Sequence, residues 1–434
     1  MVTLLRDHAV AVGRHMVTQQ GDHATPQSRS NKALVAATVL ACAFAATGAV
    51  FGAAPPGKAA ARDKPAPVQV IVRPEPLKDL GRKNKVRLVY FVPKDRRPTA
   101  NWADKIAVLM TFVNDLYARD LRSKGYPTGG LDFEFKAGKP LVHLVPGKDA
   151  AGDYSGDPDF SGQRQWSRIL PEVEAALGKA RDNLYVIFAE TYTEGPWKFE
   201  FSGGFALGCR FSTCGGVGMF SAWVLRDEFC ATTVEGQLQY LADETPIKGR
   251  TALHRMKADS PRFEFIEDGF GAVAHETGHA FGLPHDRRAD DVDIMGNGFR
   301  NLRNNYLNTP GPKAGFMADN ARMLRWSRFL ADDCDLADNQ PPAANIAHPT
   351  KLRAGATTIL LGGDLTDDKA LGAIQFFSPR HDWVLGGMDL AGRQVRLNQV
   401  LVVPPLEKGP LEIVVSIIDR GGNLATARLK MEVE

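Results

Sequence analysis

Residues 275–285 of the 434-residue sequence read HETGHAFGLPH. Two histidines four residues apart on an α-helix, His275 and His279, are turned by about 40° from each other and separated by about 6 Å along the axis, so both imidazoles can reach one ion. Gly282 can adopt the left-handed backbone that ends a helix, and Pro284 disfavours α geometry at Leu283, so the chain turns back and carries His285 to the same ion. Zinc accepts neutral imidazole nitrogen at about 2.0–2.1 Å, and its catalytic sites keep three protein ligands and a position for water. Glu276, next to the first histidine, can stand beside such an ion without binding it, take a proton from the water and deliver it to a leaving amine. A helix is predicted independently, because Phe270, Val273, Ala274, Thr277 and Phe281 form a face distinct from the histidines, with Asp268 as the expected N-cap. Histidine is 10 of 434 residues. At that frequency HExxH arises by chance in roughly one chain of this size in a hundred, and Gly282 and His285 at fixed offsets lower this to about a few in a hundred thousand, which sets aside ordinary helix histidines.

The pattern HExxHxxGxxH resembles the zinc signature of the metzincin metalloproteases. That resemblance implies three histidine ligands, a glutamate general base and a methionine in a tight turn beneath the metal. Asp293-Ile294-Met295-Gly296 fits such a turn, so Met295 takes that structural role by the same implication. Asp286 after the third histidine resembles the adamalysin-like branch, and residues 316–330, apolar at helical spacing, match the family's closing helix. The interval from His285 to Met295 is short and no tyrosine follows Met295 closely, a departure from the astacin pattern, so no subfamily is assigned. Asp290, Asp291 and Asp293 could bind calcium, which takes several oxygen ligands, although a solvated acidic loop is the commoner arrangement. His254 reads as a surface residue and His143 as a packed or rim residue of a strand.

Upstream, VRLVYFV from Val86 is a buried strand by its β-branched and aromatic content. Trp102, Ile106, Leu109, Phe112, Val113, Leu116, Tyr117 and Leu121 recur at helical steps. Strands are expected at 131–135 and 141–145, a helix over 164–181 and a central strand at 183–189. This alternation predicts an α/β (α+β), metzincin-like catalytic domain with a mixed sheet over 85–338. Residues 201–225, rich in Gly and aromatics, read as a hairpin or loop followed by an edge strand at 218–225, to which an extended peptide could pair. After the Pro-rich boundary at 338–350, short alternating runs over 350–434 and the ending IIDRGGNLATARLKMEV predict a C-terminal all-β, immunoglobulin-like sandwich.

The uncharged run 33–57 follows Arg29 and Lys32, the order of a signal peptide. The leader 1–57, with cleavage near Ala53, Ala54 or Ala59–Ala61, therefore implies a secreted or extracytoplasmic protein; an uncleaved membrane anchor and a lipoprotein signal at Cys42 are the alternatives. Residues 58–84 are expected to be a linker or short propeptide. Cys209, Cys214, Cys230 and Cys334 remain, an even number that suggests disulfides; four cysteines allow three pairings among which sequence does not choose, and 209–214 with 230–334 is the one taken as the expectation. The net charge is +3 with basic residues scattered, which gives nucleic-acid binding no support. The function expected is a secreted zinc endopeptidase acting on protein or peptide. The rival is an inactive metzincin-like adhesion or glycan-binding protein, which would have no need of Glu276.

Overall fold

The structure, a computed structural model, describes residues 68–154, 162–194, 201–202, 205–210, 214–252 and 258–434. The expected leader, residues 58–67 of the expected linker, Cys42 and His254 lie outside the described residues. Residues 68–84 are pinned to folded surface. Ile71 N–H donates to the Tyr306 carbonyl at 2.8 Å, and the N–H groups of Leu80 and Arg82 donate to the Asp132 carboxylate at 3.0 and 2.7 Å.

Alternation along β1 (Val86–Val92) divides its side chains between two cores, as a strand's period of two requires. Leu88, Tyr90 and Val92 enter one; Val89 and Phe91 enter the other. Helix α1 (Trp102–Ser123) leads to β2 (Val142–Pro146), and α2 (Gln163–Leu177) to β3 (Leu184–Ala189), both strands parallel to β1. A hairpin of β4 (Ala206–Arg210) and β5 (Gly216–Ser221) extends the sheet, β5 running parallel to β3 and antiparallel to β4, in the order β2-β1-β3-β5-β4. Trp166, Ile169 and Val173 of α2 cover one face. Ile106, Leu109 and Phe112 of α1 share the other core with Phe270, Val273 and Ala274 of α4 (Arg262–Ala280), which follows α3 (Val234–Ala242). The result is the mixed α/β layering expected.

Four local expectations change. The strand expected at 131–135 is reduced to an isolated bridge between Phe133 and Val86 and a two-residue pairing of Phe135–Lys136 with Lys139–Pro140. The edge strand is β4 rather than 218–225, because β5 is paired on both sides. The helix that carries His275 and His279 begins at Arg262, well before Asp268: Phe263, Phe265 and Ile266 are buried, and Asp268 sits mid-helix with its carboxylate accepting Arg300 Nε at 3.1 Å. The closing helix is only α5 (Ala318–Leu324), because the chain then turns and Arg328 is drawn toward the C-terminal region, donating to the Gly421 carbonyl at 2.9 Å and Asn423 Oδ1 at 2.9 Å.

That region is all β. In chain order it contains β6 (Ala343–Ala347), β7 (Lys351–Leu352), β8 (Thr358–Thr366), β9 (Leu371–Ser378), β10 (Trp383–Asp389), β11 (Gln394–Val402), β12 (Gly409–Asp419) and β13 (Leu424–Val433). They form sheets β6-β8-β11 and β7-β13-β12-β9-β10. Ile359, Leu361 and Leu397 of the first sheet meet Ile374, Phe376 and Ile413 of the second in a separate apolar core. The expected closing hairpin is β12–β13.

The expected disulfides are not formed among the described residues. The sulfurs stand on different elements and lie near backbone carbonyls: Cys209 beside Arg210 (3.4 Å), Cys230 beside Lys105 (3.5 Å) and Cys334 beside Trp326 (3.7 Å). No described helix is long and apolar enough to cross a membrane.

Candidate metal centre and active site

Helix α4 can lie close on the sheet because of a glycine. A Cβ added at Gly208 of β4 would stand 2.0 Å from the Glu276 carbonyl oxygen, so a larger residue there would lift the helix off the edge strand. On the other side, Tyr117 of α1 donates its hydroxyl to the Ala274 carbonyl at 2.7 Å. The helix ends as the sequence requires. Gly282 takes φ +92°, and Leu283 N–H closes the end on the Gly278 carbonyl at 3.1 Å, a left-handed stop that suits glycine.

The turn brings His285 beside His275 and His279. The ring centroids are 4.8 Å apart for 275–279, 5.2 Å for 275–285 and 4.7 Å for 279–285. One ligand nitrogen from each lies within 4.8 Å of the others, so the three could hold a metal ion. Each Nδ1 faces an oxygen that can only accept. His275 Nδ1 meets the Ile294 carbonyl at 2.6 Å, His279 Nδ1 the Leu283 carbonyl at 2.8 Å, and His285 Nδ1 the Asp382 Oδ1 at 3.1 Å. The Nδ1 atoms therefore carry the hydrogens, and Nε2 is the nitrogen of each ring with a lone pair that can bind a metal. Burial, with His285 nearby, pushes the His275 imidazole down to about 3 and keeps it neutral, the state a metal ligand needs.

Glu276 is buried at the same place. Burial pushes its carboxyl up to about 8, with the Gly208 N–H opposing, and its Oε2 has no hydrogen-bond partner among the described residues. A buried acidic oxygen with no partner among the described residues, on the helix that carries two of the imidazoles, fits a centre where an ion and a water complete the arrangement.

Met295 lies under the helix: a Cβ added at Gly278 would come within 2.4 Å of its sulfur. Its turn also supplies the Ile294 carbonyl that holds His275, and the Met295 carbonyl accepts the Asp286 N–H at 3.1 Å, tying the third histidine's loop to the same turn. Asp286, fully buried, is held by Arg288, whose Nη2 lies 2.6 Å from one carboxylate oxygen.

The three aspartates considered for calcium do not converge among the described residues. Asp290 Oδ2 accepts Asn297 Nδ2 at 2.6 Å, while the Asp293 carboxylate accepts the Met295 N–H at 3.0 Å. His143 is far from the centre in the sheet, with Nε2 2.5 Å from Glu134 Oε2 on the side of β2.

Asp382 is the residue that sequence reading missed. It lies just before β10, in the turn after β9, and takes φ +56°, a left-handed conformation that aspartate tolerates better than most residues. Its Oδ2 accepts Arg287 Nε at 2.7 Å. Burial opposes its ionisation, yet the His285 hydrogen bond and the Arg287 charge hold the carboxyl well below the usual range. Its only sequence signal is a polar turn, RHDW, between two apolar strands.

Residues 206–315, which span β4 through the Met295 turn, match a family described as "Putative peptidase family". No curated protein matches the chain. Among solved structures, wild-type OgpA from Akkermansia muciniphila shares the fold at 13% identity, with a TM-score of 0.55 over 83% of this chain and 96% of that one. A catalytically inactive OgpA in complex with an O-glycopeptide substrate, glycodrosocin, gives 14% identity and a TM-score of 0.56 over 83% and 96%. The family match, together with the histidine cluster and the shared fold, supports a metallopeptidase.

Proposed function

We propose that this chain is an exported zinc endopeptidase of the metzincin type, with His275, His279 and His285 as ligands, Glu276 as general base and Met295 as the Met-turn residue. The C-terminal region is read as an immunoglobulin-like module, and the domain limits as 85–338 and 350–434. The observation that carries the reading is that all three Nδ1 atoms are engaged while one ligand nitrogen of each ring lies within 4.8 Å of the others, on the helix and turn that carry Glu276.

A zinc ion there supplies Lewis acidity, lowering the pKa of a water and polarising the scissile carbonyl. Glu276 Oε2, with no partner among the described residues, takes the water proton as the hydroxyl adds to the carbonyl carbon. The same oxygen gives that proton to the amine as the C–N bond breaks. The three Nδ1 acceptors keep the imidazoles turned toward one point throughout. Edge strand β4, whose Gly208 N–H points at Glu276, is where an extended substrate would add main-chain hydrogen bonds.

Because OgpA is solved with an O-glycopeptide, the substrate reading has two arms, a plain peptide and the same peptide carrying an O-glycan. Digestion of both, with and without chelator and with zinc restored, tests the reading. Chelator-sensitive, zinc-restored cleavage is expected, and whichever arm is cut identifies the substrate. Cleavage untouched by chelator, or none of either peptide by zinc-loaded protein, sinks it. The adhesion reading has no use for a buried carboxylate placed beside the histidines.

A further inference from the structure

The chain passes from the α/β region into the β region through residues 335–342, and this junction gathers carboxylates. Asp338 lies in the connection, and Asp367 and Asp368 in the turn between β8 and β9. Their ligand oxygens lie within 4.8 Å of one another. Asp419, at the end of β12, is close enough that Asp338 and Asp367 add to burial in pushing its carboxyl up to about 6, against the hydrogen bonds of Asn423.

Exposed acidic clusters are common and need hold nothing, but Asp338 is only 1% exposed. Its Oδ1 accepts the Gln340 N–H at 3.1 Å and Asn423 Nδ2 at 3.5 Å, while its Oδ2 is buried with no hydrogen-bond donor among the described residues. Asp367 repeats the pattern from the other side. Its Oδ1 accepts the Lys369 N–H at 2.8 Å, and its Oδ2 is buried with no donor among the described residues. Burying a bare carboxylate oxygen is costly unless a cation meets it. The neighbouring side-chain cations are turned elsewhere. Lys369 Nζ pairs with Asp335 at 3.0 Å, and Arg328 gives its N–H groups to the carbonyls of Gly421 and Asp338 and to Asn423 Oδ1. Asn423 Nδ2 also reaches Asp419 Oδ2 at 2.9 Å and the Asp338 and Gln340 carbonyls at 3.3 Å, which fixes the connection against the β12–β13 turn.

An all-oxygen donor set from separate segments, with Asp368 open to solvent, suits a hard cation that keeps some water ligands. We propose that Asp338, Asp367 and Asp368 bind one calcium ion, which ties the β8–β9 turn to the segment joining the two regions. The site is independent of the peptidase reading.

Calcium titration of the full chain, stripped of metal and reloaded with zinc, tests it by calorimetry and thermal unfolding. Wild-type protein should bind one calcium with a Kd on the order of 0.1 mM, and should melt about 3–5 °C higher in roughly 5 mM calcium. Asp338→Asn alters a buried ligand and can itself cost folding, so Asp368→Asn, alone and with Asp367→Asn, is the companion. The exposed single substitution should weaken calcium about tenfold while leaving the calcium-free midpoint within about 1 °C of wild type. The proposal is overturned if wild-type protein binds no calcium at millimolar concentration, if magnesium stabilises it equally, or if the double variant binds calcium as tightly as wild type.

Discussion

The α/β region holds two of the candidate ligands with its own backbone, whereas the third depends on the β region. His275 and His279 lean on carbonyls 19 and 4 residues away; His285 leans on a carboxylate 97 residues away. A carbonyl acceptor survives any side-chain change and contributes only a dipole. A carboxylate can be removed by one substitution, and it adds negative charge that makes the imidazole a better ligand. The candidate centre is therefore fixed on one side and coupled on the other to how the two regions pack. Arg287, Arg210 and Arg328 all cross the same junction, donating to Asp382, to the Gly422 carbonyl and to Asn423.

This contrast predicts that residues beside the centre fail in different ways. Glu276→Gln should lose peptide hydrolysis by about 10²–10⁴-fold while metal analysis finds the ion retained; an active variant would remove Glu276 from the chemistry. Asp382→Ala should weaken metal affinity by about 10–100-fold in a chelator competition, with Asp382→Asn recovering part of the loss because its amide oxygen still accepts the Nδ1 hydrogen. Arg287→Ala, which removes the ion pair and leaves the His285 contact, separates orientation from docking, and its affinity should stay near wild type. If Arg287→Ala matched Asp382→Ala, packing rather than orientation would be at work.

Gly278→Ala probes the backbone-held side. The added methyl meets the Met295 sulfur, and overpacking of this kind costs about 1–3 kcal/mol in denaturant unfolding. Full stability would mean that the turn yields freely. The smallest expected effect is a pH slope. Burial pushes the Asp293 carboxyl up to about 7, above its unfolded value of 3.8, with the Met295 N–H opposing. The folded chain then holds a proton that the unfolded chain releases, so stability falls as pH rises from about 4 to about 7, by at most about 1.4 kcal/mol per unit. Asp293→Asn should flatten that part of the profile, and an unchanged slope would assign it to another group.

The parts legible in the sequence are those whose cause is local. The i, i+4 histidines, the glycine stop and the methionine turn lie within 21 residues, and short-range geometry alone brings the three imidazoles together. Most of the strand and helix alternation from Val86 to Ala189 is readable for the same reason, because each element carries its own period; the exception is 131–135, whose apolar run forms only a bridge and a two-residue pairing. What was not legible depends on contacts across the fold. Gly208 and Gly216 read as loop glycines in the sequence, yet they belong to strands where glycine lets α4 approach, which puts the sheet edge one strand earlier than the sequence suggests. Asp268 has the chemistry of an N-cap, but the buried Phe263 and Phe265 extend the helix beyond it. Asp382 is a polar turn residue until the β9–β10 turn docks on the loop of His285 and Arg287, and no periodicity announces that.

X-ray absorption and anomalous diffraction at the zinc edge on the metal-loaded full chain test the central claim most directly. The account predicts one ion per chain bound by His275, His279 and His285 through Nε2 at about 2.0–2.1 Å. An ion bound by fewer than three of these imidazoles, a sulfur ligand, or no ion at this place would contradict it.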